Sequence, residues 1–87
     1  MAHRATPEFW YLYRQLPANL RALADRSFNL LKQSPSHPSL HLKKITGKPG
    51  LWSARVGRSH RVLAHEIAGG LLWFWIGAHD DYDQLIS

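Results

Sequence analysis

Apolar residues recur every three to four positions in the first third of the chain and at alternate positions after it. Helices followed by strands are therefore predicted. Thr6 is placed to cap a first helix, with Pro7 at its first position and Glu8 against its positive end. Phe9, Leu12, Tyr13 and Leu16 then form one apolar stripe. Pro17 interrupts that segment and opens a second, in which Leu20, Leu23, Ala24, Phe28 and Leu31 keep the same spacing. Arg21, Arg26 and Lys32 fall on its wet side. Two prolines in Ser34-Pro35-Ser36-His37-Pro38 end it, because proline lacks the donor a helix needs. The two segments read as a helical hairpin.

The period then changes. Leu40 and Leu42 alternate with His41 and Lys43 as at a strand start, and Gly47-Lys48-Pro49-Gly50 is a turn. Trp52, Ala54 and Val56 alternate with Ser53 and Arg55, as in a half-buried strand. Gly57-Arg58-Ser59 connects to a strand over 60–67, and Gly69-Gly70 turns into Leu71-Leu72-Trp73-Phe74-Trp75-Ile76. That run is apolar on both sides, so a central strand covered on both faces is predicted. Connections this short make the sheet antiparallel. The expectation is one α+β domain over 1–87: an N-terminal helical hairpin packed on a mainly antiparallel sheet of about four strands.

Length and composition narrow the function. Eighty-seven residues support one small core. The absence of cysteine excludes disulfides, thiolate catalysis and cysteine-based zinc sites. No apolar run spans a bilayer and no signal-peptide core is recognisable, so a cytoplasmic protein with no membrane partner is expected. The net charge is +5 and its distribution is uneven. All eleven Lys and Arg lie between Arg4 and Arg61, whereas the chain from Val62 onward carries four acids and no such cation. Residues 41–61 hold Lys43, Lys44, Lys48, Arg55, Arg58 and Arg61 without one acid, a composition suited to a phosphodiester backbone.

Six histidines invite a metal reading, which the spacing does not support. His37 and His41 are four apart, but prolines 35 and 38 rule out a helical ligand pair. No metal and no cofactor is expected. His79 differs from the others: it follows Gly77-Ala78 directly after the apolar strand, at a sheet edge, with Asp80 and Asp81 beside it. Imidazole is the side chain best suited to proton transfer near neutral pH.

Three segments carry a resemblance: Leu51-Trp52-Ser53-Ala54-Arg55-Val56, His60-Arg61-Val62-Leu63, and Trp75-Ile76-Gly77-Ala78-His79-Asp80-Asp81-Tyr82-Asp83. Together with the order of elements they resemble the RelE/ParE superfamily of type II toxins over essentially the whole chain. Trp-Ser-x-Arg and His-Arg-Val-Leu are similar to the YoeB branch, and the Gly-x-His ending to the HigB and YafQ toxins. The resemblance implies a metal-independent, ribosome-dependent mRNA endonuclease of the prokaryotic cytoplasm that inhibits translation, with ribosome, mRNA and a cognate acidic antitoxin as partners. By that resemblance Arg61 holds the scissile phosphate, His79 is the general acid or base, and Tyr82 stacks a base or orients the substrate. Lys43, Lys44, Arg55 and Arg58 bind RNA.

The sequence also departs from the family. The glutamate that the YoeB branch carries before Trp-Ser is missing, since no acid lies between Asp25 and Glu66. Nothing basic follows Arg61 to match the C-terminal arginine of RelE. The second proton-transfer group therefore falls to His41 or His60, with His65 behind them. Because the superfamily spans two activities on one fold, a ParE-like toxin that binds DNA gyrase without catalysis is the alternative. A nucleic-acid-binding module without toxicity is a third.

Overall fold

In the computed structural model, which describes residues 1–87, the chain runs β1 (Ala2–Ala5), α1 (Pro7–Gln15), α2 (Ala18–Gln33), β2 (Lys43–Lys44), β3 (Leu51–Val56), β4 (His60–Ile67), β5 (Gly70–Ala78) and α3 (His79–Ile86). The expected cap is in place: Thr6 Oγ1 accepts the Phe9 N–H at 3.1 Å, with Pro7 inside the first turn. Pro17 separates the helices. Their corner is tied by Arg21, which donates to the Leu16 carbonyl at 2.6 Å, and by the Tyr13 hydroxyl, which donates to Asp25 at 2.6 Å.

The strands form one sheet in the order β1-β5-β4-β3-β2. The pairings β2–β3, β3–β4 and β4–β5 are antiparallel, as short connections require. The sheet has five strands rather than about four, and it is mixed: β1 pairs with β5 in parallel, Ala2 opposite Gly70 and Ala5 opposite Trp73. The last residues form a further helix, α3, for which no element was predicted. The α+β class stands.

One sheet face carries the core. Ala54, Val56, Val62, Ala64, Leu71, Trp73 and Ile76 pack there with Ala24 and Leu31 of α2. The α1 stripe of Phe9, Leu12, Tyr13 and Leu16 closes over them. A bulge interrupts β5: Leu63 pairs with Trp75 and Ala64 with Trp73, so Phe74 is the extra residue. It switches the alternation, which is why Leu71, Trp73 and Ile76 are the buried members of the run while Leu72, Phe74 and Trp75 are half-buried. β5 is an inner strand, but its second face is covered only in part, by α3.

β1 reaches β5 only because Gly70 has no side chain. A Cβ at Gly70 would run into the backbone of Ala2. Gly70→Ala is expected to displace β1 and to cost about 1–3 kcal/mol, by the logic of overpacking. Urea unfolding reads this directly, and a midpoint equal to wild type would contradict the close approach.

Two histidines make the fold acid-sensitive. Trp73 Nε1–H donates to His3 Nδ1 at 3.1 Å, which needs a neutral ring there. Partial burial, then the N-terminal amine and Lys32, hold His3 below the usual histidine range, and burial does the same for His60. The unfolded chain therefore binds protons that the folded chain does not. Stability is complete above about pH 6.5, the unfolded value, and falls as pH drops from there through the two folded values. Melting temperature should be flat above neutrality and decline toward pH 5. A profile flat across that window would be inconsistent with these environments.

Candidate active site on the open sheet face

The period of two decides which side chains can meet. Since Ala54, Val56, Val62 and Ala64 face the helical hairpin, the residues between them face the other way. Lys43 pairs with Ser53, Ser53 with Leu63 and Leu63 with Trp75, forming one row across that open face. The next row is Arg55, Arg61 and Gly77. The helix α3 lies against this face through Tyr82, whose buried ring sends its hydroxyl to Ser53 Oγ at 3.2 Å. Ser53 is the one buried polar residue, and this bond accounts for it.

Arg55 and Arg61 stand directly opposite each other on adjacent strands, an arrangement of like charges that costs stability. No carboxylate lies within ion-pair distance of either one. The ion pairs of the chain are Lys44–Glu66, His79–Asp80 and His79–Asp83, and neither arginine takes part in one. Arg61 Nη1 donates only to the His60 carbonyl, at 2.9 Å. Partial burial, then the charge of Arg55, pull its guanidinium below the usual arginine range, while Tyr82 and Asp83 act in the opposite direction. Two neighbouring guanidinium groups with no ion-paired carboxylate are chemically suited to an anion.

His79 is fixed beside this row. It is the first residue of α3, its backbone N–H donates to the Ser59 carbonyl at 2.8 Å, and its ring lies 6.2 Å from that of Tyr82. Its Nδ1 is 3.2 Å from Asp83 Oδ2 and 4.0 Å from Asp80 Oδ1. The donor atoms of His79, Asp80 and Asp83 lie within 4.8 Å of one another, a grouping of exposed carboxylates around one imidazole that is common without a bound ion. Asp80 is fully in solvent and Asp83 half so.

The structure thus gathers Lys43, Arg55, Arg61, His79 and Tyr82 on one side of the sheet and holds Lys44, Arg58 and His60 apart from them. Lys44 falls on the helix-facing side, paired with Glu66 at 3.7 Å and lying over Trp52, whose Nε1–H also donates to Glu66 at 2.9 Å. Arg58 is exposed in the turn beyond Val56. His60 shares its row with Val56 and so faces away from Arg61, with Nδ1 2.7 Å from Ser59 Oγ. His41 is exposed in a left-handed conformation (φ 49°) next to Leu40, whose carbonyl accepts the Arg55 N–H at 2.7 Å. It therefore stands at the β3 edge by the arginine row. His65 is on the open face but four residues along β4 from Arg61, stacked on Phe74 at 4.2 Å. Sequence reasoning missed Asp83, Ser53 and Ser59. The i,i+4 spacing of His79 and Asp83 becomes a signal only once α3 is known to be a helix.

Similarity to known proteins agrees with this architecture. No curated protein is a significant match in sequence. Among solved structures, the RelB–RelE antitoxin–toxin complex from Methanococcus jannaschii holds a chain of the same fold, with TM-score 0.74 and 15% identity over 97% of this chain and 99% of that one. The YoeB/ParE toxin from Agrobacterium tumefaciens gives TM-score 0.68 and 20% identity over 91% and 99%. YafQ from E. coli gives 0.69 and 12% over 93% and 96%. Identities this low establish shape alone; membership comes from the sequence of residues 18–84, which matches the ParE-like toxin domain. That segment runs from the start of α2 to the middle of α3 and includes every residue of the open-face site, so the chain belongs to the ParE-like toxin family and, with it, to the RelE/ParE superfamily of toxins.

Proposed function

We propose that this toxin is a ribosome-dependent mRNA endonuclease whose working surface is the open sheet face. The observation that carries the reading is the Arg55–Arg61 row, neither member of which is ion-paired, with His79 and Tyr82 beside it. RNA supplies its own nucleophile: the 2′-oxygen attacks the adjacent phosphorus, and the 5′-oxygen of the next nucleotide leaves. A dianionic phosphorane forms between these events, and Arg61 stabilises it, with Arg55 and Lys43 on the flanking backbone phosphates. His79 carries one of the two protons, either from the 2′-hydroxyl or to the leaving oxygen. His41 at the β3 edge is the group we assign to the other, because His60 points to the far side of the sheet. The buried ring of Tyr82 offers no free face for a base, so its role is to hold α3, and hence His79, against the sheet.

A second reading has its own support, since the matched family is ParE-like and the superfamily includes gyrase-binding members. Such a toxin would use the open face for protein contact and would need no proton-transfer set. Wild type, untreated or stripped with EDTA and then freed of it, should be assayed in magnesium buffer for cleavage of a defined mRNA with and without ribosomes, alongside gyrase supercoiling. Cleavage only with ribosomes, unaffected by the prior stripping, supports the nuclease; gyrase inhibition without cleavage supports the alternative.

We also assign this toxin a cognate antitoxin. RelB–RelE complexes are among its structural neighbours. Trp10 and Phe28 remain 44% and 37% exposed along the apolar cleft between α1 and α2, where a partner segment would cover them. The basic open face favours an acidic partner. No helix of the chain is long and apolar enough to cross a membrane.

A further inference from the structure

We propose that Asp83 is a positioning residue for His79: its carboxylate keeps the proton of the neutral imidazole on Nδ1, so that Nε2 is the nitrogen that exchanges a proton with substrate. The inference rests on the mRNA-cleavage reading for its catalytic part and on geometry alone for its tautomer part. A neutral imidazole has two tautomers, and only one presents a free lone pair at a given nitrogen. Which one prevails depends on what each nitrogen faces. Nδ1 of His79 is 3.2 Å from Asp83 Oδ2, so a lone pair on that nitrogen would face the carboxylate oxygen, whereas a proton there is attracted to it.

The arrangement is held from several sides. The i,i+4 spacing on α3 stacks Asp83 one turn beyond His79. The His79 backbone is fixed by its bond to the Ser59 carbonyl, and Tyr82, anchored on Ser53, lies against the ring. Asp80 also comes to 4.0 Å, but its side chain is 98% exposed and free to turn into water. The other groups facing this corner are cationic: Arg61, on which the Asp83 charge acts, with Arg55 beyond it. Asp83 thus touches the proton-transfer group and acts electrostatically on Arg61. A carboxylate behind a histidine acts by fixing tautomer and orientation, without taking the proton itself.

Asp83→Asn tests this, because an amide has nearly the same shape and can donate to Nδ1. The first readout is the tautomer of His79 in the isotope-labelled full chain, from long-range proton–nitrogen correlations above neutral pH. Wild type should show the proton on Nδ1, Asp83→Asn should shift it to Nε2, and Asp80→Asn should leave it unchanged. The second is ribosome-dependent cleavage: Asp83→Asn should lose about 10- to 100-fold in kcat with KM within about twofold, and Asp80→Asn should match wild type. A proton on Nε2 in wild type, or a tautomer or kcat indifferent to Asp83→Asn, overturns the proposal. If wild type itself cleaves nothing, the nuclease reading fails, while the tautomer measurement still decides what Asp83 does to His79.

Discussion

Arg61→Ala is expected to reduce ribosome-dependent mRNA cleavage by about 10²–10³-fold, the usual effect of removing one group aimed at developing oxyanion charge. The loss should appear in kcat more than in KM, because Arg55 and Lys43 still bind flanking phosphates on the same face. The fold should survive. Arg61 gives up one side-chain bond, to the His60 carbonyl, and its removal relieves the like-charge pairing with Arg55. The variant should therefore melt no lower than wild type, a sign opposite to that of a structural arginine. Arg61→Lys should recover only part of the rate, since an ammonium keeps the charge but loses the planar fork that grips two oxygens. Equal activity of Arg61→Ala and wild type would remove the phosphate site from this row.

His79→Ala should cost about 10²–10⁴-fold in kcat, the range for losing a positioned general acid or base. The pH dependence should change with it: one limb of the wild-type rate profile should vanish, leaving the dependence set by the remaining group. The ring is partly exposed and its polar contacts are with the exposed Asp80 and Asp83, so its removal should lower stability little. His41→Ala should remove the opposite limb if that residue carries the other proton. His60→Ala should leave the cleavage profile unchanged, since His60 lies on the helix-facing side of the sheet.

Much of this architecture was legible in the sequence, and the exceptions have physical causes. Thr6-Pro7 and the stripe Phe9, Leu12, Tyr13, Leu16 gave α1, and the alternation around Trp52, Ala54 and Val56 gave β3, because local signals agreed with tertiary burial. β1 was not legible. Ala-His-Arg-Ala carries no strand pattern of its own, and its partner is about seventy residues away across a pairing that depends on Gly70. Nor was α3, whose N-cap position, Ala78, offers no side-chain cap, although Asp80 and Asp81 suit a helix N-terminus. The buried Tyr82, with its hydroxyl on Ser53, supplies a tertiary contact that the local sequence does not show.

The same distinction holds at the site. Arg61, His79 and Tyr82 came from family resemblance, and the fold puts them on one side of the sheet. Lys43 and Lys44 are neighbours in sequence, yet adjacent strand residues point to opposite faces, and Lys44 is occupied by Glu66. His60 is excluded from the open face by the same alternation that buries Val62 and Ala64. Asp83 stayed hidden because its relation to His79 exists only on a helix.

The most direct test is the chemistry of the cut ends. A defined mRNA on programmed ribosomes should be incubated with wild type, Arg61→Ala and His79→Ala, and the product termini identified. Wild-type products should carry a 5′-hydroxyl on one fragment and a 2′,3′-cyclic phosphate or its 3′-phosphate hydrolysis product on the other, with both variants nearly silent. Intact mRNA with wild-type protein, or 5′-phosphate and 3′-hydroxyl ends, would rule out attack by the 2′-oxygen at this site.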